Sequence, residues 1–280
     1  MTKNNHRYPN KNKSWAPVIL IGIAVAFLAL ILYIPALNVF YQAFKKGVGP
    51  FLSNLTRPAF LNAVKLTLML AAIALPLNTI FGLCAAWAIT RHKFPGRAFV
   101  LSVIDLPFSI SPVVAGLMIV LLYGRQGWFG GWLQEHDIRI IFAFPGMVLA
   151  TAFVSMPFVA REVIPVLEEL GSDQEEAAKT LGAKDWQIFW RVTLPNIRWG
   201  LLYGLILTNA RAMGEFGAVS VVSGNIATKT QSLPLFVEDA YKQYETEAAY
   251  SAAVLLALLA VVTLVLKEIL ERKSRIKEVE

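Results

Sequence analysis

Apolar and polar positions along this chain fall into long blocks. Residues 17–40 read PVILIGIAVAFLALILYIPALNVF without a single charge. A bilayer core about 30 Å thick demands about 20 consecutive apolar residues of a helix, and this block satisfies that. Residues 66–90, 98–123 (charged only at Asp105), 140–160 and 248–266 are comparable, and 199–222 is apolar but holds Arg211 and Glu215. The pattern predicts an all-α integral membrane protein with six transmembrane helices. A single transmembrane domain is expected over 15–270, between a polar tail at 1–14 and a charged tail at 271–280. The first apolar block is too long for the core of a secretory signal, and no small-x-small site follows it.

Composition agrees: 56% of residues are hydrophobic and 16% charged, outside the usual range of soluble domains. The net charge of +7 does not require nucleic acid as a partner. With the N-terminus placed inside, inner segments hold 17 Lys and Arg and outer segments 7, and Lys65 and Arg211 lie within spans. That bias predicts a multi-pass protein of the cell (inner or plasma) membrane with both termini in the cytoplasm. Lys65 reads as a side chain snorkelling to the headgroups, and the basic positions of 267–277 as an anchor to anionic lipid. Cys84 is alone, so no intrachain disulfide forms. His6, His92 and His136 lack metal-ligand spacing, and no metal site is expected.

Prolines at 35, 76, 107, 112 and 157 fall within the apolar blocks. Proline removes a backbone donor and crowds the preceding turn. Two readings stand for the run Ser109-Ile110-Ser111-Pro112. It kinks a helix for packing, or it breaks the third span beside a water-filled route, as broken helices do in transporters. Asp105 reads as a cap for a short helix beginning after Leu106-Pro107, the reading preferred, or as a side chain facing the cavity.

Residues 172–196, SDQEEAAKTLGAKDWQIFWRVTLPN, are polar where their neighbours are not. Ser172 and Glu175 have capping-box spacing, and Asp173, Glu175 and Glu176 suit the positive end of a helix. Ala177 and Ala178 leave room for an approaching surface. Gly182 fits a helix C-terminus, and Asp185 begins a second helix bearing Trp186, Phe189 and Trp190. Leu194-Pro195 leads into the next span. The spacing predicts a helix–Gly–helix elbow with an exposed apolar face, within a loop at about 168–196.

Arg211 and Glu215, four apart, share a helix face in the fifth span. Charges at that depth are expensive and face protein or water. They form a structural pair, or Arg211 lines a route for an anion; both readings remain open. Ser220, with Ser223 and Asn225, ends the span near an outer gate, or simply bonds backbone. Residues 235–243 suggest a short helix in the last outer loop.

The elbow resembles the signature of ABC-importer permeases. That pattern is Glu-Ala-Ala, three residues, Gly, nine residues, then an aliphatic, any residue and Leu-Pro. Here it reads Glu176-Ala177-Ala178, Gly182, then Val192, Leu194 and Pro195, with valine in place of the commoner isoleucine. The stretch RAMGEFGA at 211–218 is similar to the sulfate and molybdate branch. Residues 76–97, 106–124 and 233–267 resemble the W-type sulfate/thiosulfate permease family. The resemblance implies a type I ABC-importer permease fold whose cytoplasmic coupling helix docks on a separate ATPase. Glu176, Ala177, Ala178, Gly182, Trp186, Leu194 and Pro195 then serve that coupling. Arg211, Glu215, Ser109, Ser111 and Ser220 are candidates for the substrate route or gate.

It further implies import of sulfate or thiosulfate into the cytoplasm by alternating access. The partners would be two ATPase copies, a T-type sister permease, an extracytoplasmic sulfate-binding protein and the bilayer. No phosphate loop G-x-x-x-x-G-K-[ST] occurs in the chain, so no catalytic residue or cofactor is expected here, and Mg-ATP belongs to the ATPase. A molybdate or tungstate permease is the alternative within the class. A secondary transporter or a channel is the alternative outside it, and neither an internal repeat nor a selectivity filter is evident.

Overall fold

The computed structural model describes residues 16–277. The expected tail at 1–14 lies outside them, as do 278–280. The chain opens with α1 (Ala16–Leu28), a π-helical turn (Ala29–Tyr33) and α2 (Ile34–Phe44). In the rod Pro17–Phe44 the most apolar stretch is 0% buried inside the chain, so lipid or another membrane protein must cover it. The wide turn has a cause. Ile34 N–H bonds to Ala29 C=O, five residues back, immediately before Pro35. Proline offers no N–H and its ring crowds the carbonyl four residues back, and a π turn absorbs both. The same device recurs at Phe189–Thr193, just before Pro195.

Next come α3 (Val48–Leu55) and α4 (Pro58–Arg91). The 34 residues of α4 make a rod about 50 Å long at 1.5 Å per residue. α5 (Arg97–Ser109) and α6 (Pro112–Tyr123) meet at 111°. α7 (Gly130–Glu135) precedes α8 (Phe144–Ser155) and α9 (Pro157–Leu170), which together make one apolar stretch of 27 residues. α10 (Asp173–Thr180) and α11 (Asp185–Ile188) form the elbow. The chain closes with α12 (Leu194–Met213), α13 (Gly217–Ser223), α14 (Leu233–Lys242) and α15 (Thr246–Lys277). The expected helix near 235–243 is α14, and the expected tail beyond 270 continues α15 as far as Lys277.

No strand occurs among the described residues. Among the described residues four stretches are long and apolar enough to cross a membrane, or five if α5 and α6 count as one. The fifth expected span, 199–222, is not a continuous rod. It divides into α12 and the seven-residue α13 around Gly214, Glu215 and Phe216. The third, at 98–123, is the sharply bent pair, broken at the Ser109–Pro112 run.

α4, α9 and α12 form the central packing unit, with Ala86, Val159, Val163, Leu167 and Ile197 buried together. Glycines bring these backbones close. A Cβ on Gly82 would lie 2.6 Å from the Val159 Cβ, and one on Gly204 would lie 2.9 Å from the Val159 Cα. A second cluster joins α4, α6, α8 and α13 through Leu70, Ile119, Met147 and Val219. A third joins α4, α14 and α15 through Phe60, Phe236 and Ala252.

Gly82→Leu is therefore expected to destabilise the folded chain by about 2 kcal/mol, because the side chain overpacks the contact with α9. Gly22→Leu, at a position with nothing within 4 Å, should leave the unfolding midpoint of the isolated chain in detergent unchanged. Equal midpoints for the two variants would contradict this packing.

Candidate functional site

The elbow is closed by local geometry. α10 ends in a Schellman motif: Ala183 N–H bonds Ala178 C=O at 3.1 Å, and Gly182 N–H bonds Lys179 C=O at 2.9 Å. Gly182 sits at φ +83°, a region glycine enters without steric cost. α11 begins at Asp185, with the Gln187 side chain accepting from the Lys184 N–H at 2.9 Å.

One face of the elbow is left largely uncovered by the described residues. Leu181 is 88% exposed, Trp186 69% and Trp190 49%. Trp186 and Trp190 meet edge to face with centroids 5.3 Å apart, and Phe189 joins Trp190 at 5.6 Å. Ala177 and Glu176 are exposed beside them, Ala178 is half-buried, and Leu194 packs under the elbow against the α9 and α12 core. Pro195 lies in the first turn of α12.

The capping box expected of Ser172 and Glu175 is not formed. The Ser172 hydroxyl donates to the Glu176 carboxylate at 2.6 Å, with no side-chain cap on the helix. Glu175 turns inward instead. It accepts from Arg91 Nε at 2.8 Å and Nη2 at 3.2 Å, and from the Thr193 hydroxyl at 2.7 Å. Arg91 Nη1 also donates to the Leu167 carbonyl at 3.1 Å. The Arg91 and Glu175 side chains are only 11% and 14% exposed. Arg91 and Thr193 were absent from the sequence-based candidates. The two charges are 84 residues apart, so no periodicity relates them. The only signal was an acidic pair, Glu175-Glu176, that one helix face cannot fully share.

The second group of candidates surrounds two helix breaks. Arg211 Nη1 lies 2.8 Å from Glu215 Oε2, with side chains 32% and 1% exposed. Glu215 Oε1 accepts the Ala218 N–H at 2.8 Å, in the first turn of α13. The carboxylate thus accepts from the first turn of the helix after the break and pairs with the Arg211 guanidinium. Arg211 itself remains partly exposed.

The break before α13 abuts the break before α6. A Cβ on Gly217 would lie 2.8 Å from the Pro112 Cβ, and one on Gly116 would lie 2.7 Å from the Ala218 carbonyl oxygen. Ser111 and Ser109 are exposed at the α5–α6 junction, while the Ser220 hydroxyl donates to the Gly217 carbonyl at 2.8 Å. Asp105 does not cap a new helix. α5 continues past it to Ser109, and its carboxylate accepts from Arg161 Nε at 2.7 Å, because Arg161 on α9 is within reach.

Comparison with known proteins follows this geometry. Residues 78–276 match the family described as binding-protein-dependent transport system inner membrane component. The chain is 69% identical over 256 residues to "Sulfate transport system permease protein CysW" of Synechocystis sp., covering 91% of this chain and 93% of that protein. It is 41% identical over 241 residues to "Sulfate transport system permease protein CysT" of Escherichia coli, covering 85% and 87%. A solved bacterial ABC transporter that imports the acidic polysaccharide alginate shares the fold, with a TM-score of 0.76 at 20% identity, covering 93% of this chain and 95% of that one.

Glu215→Ala is expected to cost about 3 kcal/mol, since it strands the Arg211 charge and removes the acceptor for the Ala218 N–H. Glu215→Gln keeps an acceptor and should lose less. Unfolding midpoints in detergent check both, and a Gln variant as damaged as the Ala variant would contradict the capping role.

Proposed function

The chain belongs to the binding-protein-dependent transport system inner membrane component family, and on that premise we propose that it is the pore-forming permease subunit of an ATP-driven sulfate importer. The observation that carries this reading is 69% identity, over 91% of the chain, to a protein named as a sulfate transport permease. The weaker identity to the T-named permease, 41%, supports the W-type role, with a T-type subunit as the second half of the pore. Thiosulfate is the further substrate expected of that role.

ATP is hydrolysed elsewhere, on two ATPase copies inside the cell, and this chain holds no cofactor. The elbow is their handle. Its support is the uncovered surface of Leu181, Trp186 and Trp190 beside Glu176 and Ala177, an apolar anchor of the kind that dominates protein interfaces. Gly182 fixes the angle at which that face is presented. The charge bias of the loops supports an elbow and termini on the cytoplasmic side. An extracytoplasmic binding protein delivers the anion.

The route runs past the abutting breaks. Interrupted helices expose backbone groups that a polar substrate or water can satisfy, and in transporters such interruptions line the pathway. Arg211 offers the positive charge and Ser109 and Ser111 offer hydroxyls. Ser220 contributes its position on α13, and Glu215 holds the break in shape. When the ATPases close on ATP, the elbow shifts and the pore turns outward; release turns it inward. The chain does no chemistry on its substrate.

Cells lacking the gene should lose uptake of radiolabelled sulfate while molybdate uptake persists; the reverse result would move the substrate to molybdate or tungstate. Gly182→Pro, which cannot adopt φ +83°, should keep ATP hydrolysis in the assembled complex and lose uptake. Uptake that survives ATP depletion, with no ATPase retained on the purified chain, would contradict the importer role.

A further inference from the structure

We infer that Arg91 and Glu175 are positioning residues that carry motion of the elbow into α4, a helix to which the elbow has no direct chain connection. The inference rests on the importer reading, in which the elbow is pulled by an ATPase. It adds the path the pull takes.

Both covalent exits from the elbow contain weak points. Toward α9 the chain passes Gly171, at φ +63° and outside any helix. Toward α12 it passes the π turn Phe189–Thr193, where helical bonding is widened. Neither junction is a stiff rod, so a pull on the elbow would be partly absorbed in bending there. The Glu175 carboxylate bridges both. Through Arg91 it reaches the Leu167 carbonyl on the α9 side of Gly171, and directly it reaches Thr193 at the end of the π turn. The fork of Arg91 on the carboxylate fixes distance and angle together, which a single contact cannot do. With the two side chains only 11% and 14% exposed, water competes little for it.

Arg91 is the last residue of α4, so the displacement enters that helix at its end. α4 is tied along its length. Asn78 donates to the Ser155 hydroxyl at 2.8 Å and to the Ala152 carbonyl at 3.1 Å, both on α8. At the far half, the Thr67 hydroxyl accepts the Leu233 N–H at 2.8 Å, at the start of α14. A shift at Arg91 is thereby delivered to α8 and to the opposite end of the molecule. The adjacent residue, Glu176, is exposed and does not join this network. One carboxylate of the pair is turned to the interior and its neighbour to the outside.

The test uses the complete transporter in proteoliposomes and reads sulfate uptake per ATP hydrolysed, with ATPase retention measured on the same preparations. Arg91→Gln and Glu175→Gln should retain the ATPase and hydrolyse ATP, with uptake per ATP reduced about tenfold, the scale of one lost buried charge-assisted contact. Arg91→Lys, which keeps the cation without the fork, should fall between these and the native chain. The double variant should be no worse than either single one, as expected of residues that act through one contact. Unchanged uptake per ATP in Glu175→Gln, with the ATPase still bound, would overturn the inference and leave the importer reading standing. A loss matched by loss of the ATPase would also overturn it, since the pair would then only fold the docking surface. A native chain that retains no ATPase would sink the importer reading itself.

Discussion

A chain inside hydrocarbon cannot leave backbone or charged groups without partners, and the helix breaks in this protein are arranged around that constraint. At the break before α13, Glu215 supplies the acceptor for the Ala218 N–H and the counter-charge for Arg211. The break before α6 is pressed against the same place, with Gly217 allowing Pro112 to approach. Before Pro35 and Pro195 the chain widens into π turns rather than clash or lose helicity. Interruptions that would be costly one by one become tolerable when they answer each other.

The same logic organises the elbow. Its inward side is polar and fully engaged through Glu175, while its outward side presents Leu181 and two tryptophans with nothing over them. A short helix pair cannot hold a shape by its own hydrogen bonds. The contacts of Glu175 with Arg91 and Thr193 fasten it to the helices beneath, where α4, α9 and α12 pack closely around glycines. A surface that is uncovered yet firmly mounted is what a force-bearing contact requires.

How much of this could be read from the residues alone depends on the range of the interaction. Gly182 at the end of α10 and the start of α11 at Asp185 follow from local chemistry and appear where the pattern places them, and of the two readings for Ser109–Pro112 the structure has the sharp break. The span count does not follow so simply, because hydropathy treats 199–222 as one segment and cannot see that Glu215 folds back to restart a helix. Asp105 and Glu175 were assigned local caps, yet both reach partners on distant segments, Arg161 and Arg91. Acidic residues near a helix start satisfy local rules and tertiary ones equally well, and only the packed structure decides between them. The family signature marks the position of the elbow but carries no information about what holds its inner face.

On the importer reading, the elbow's exposed face is the handle for a nucleotide-driven partner. A cysteine at Leu181, with Cys84 replaced by serine, and a bifunctional crosslinker applied to the intact membrane assembly would test it most directly. This position is expected to crosslink to an ATP-binding subunit, with a yield that changes when ATP is added. A residue that stays free of any such subunit, or that crosslinks only to lipid or to another copy of this chain, would contradict it.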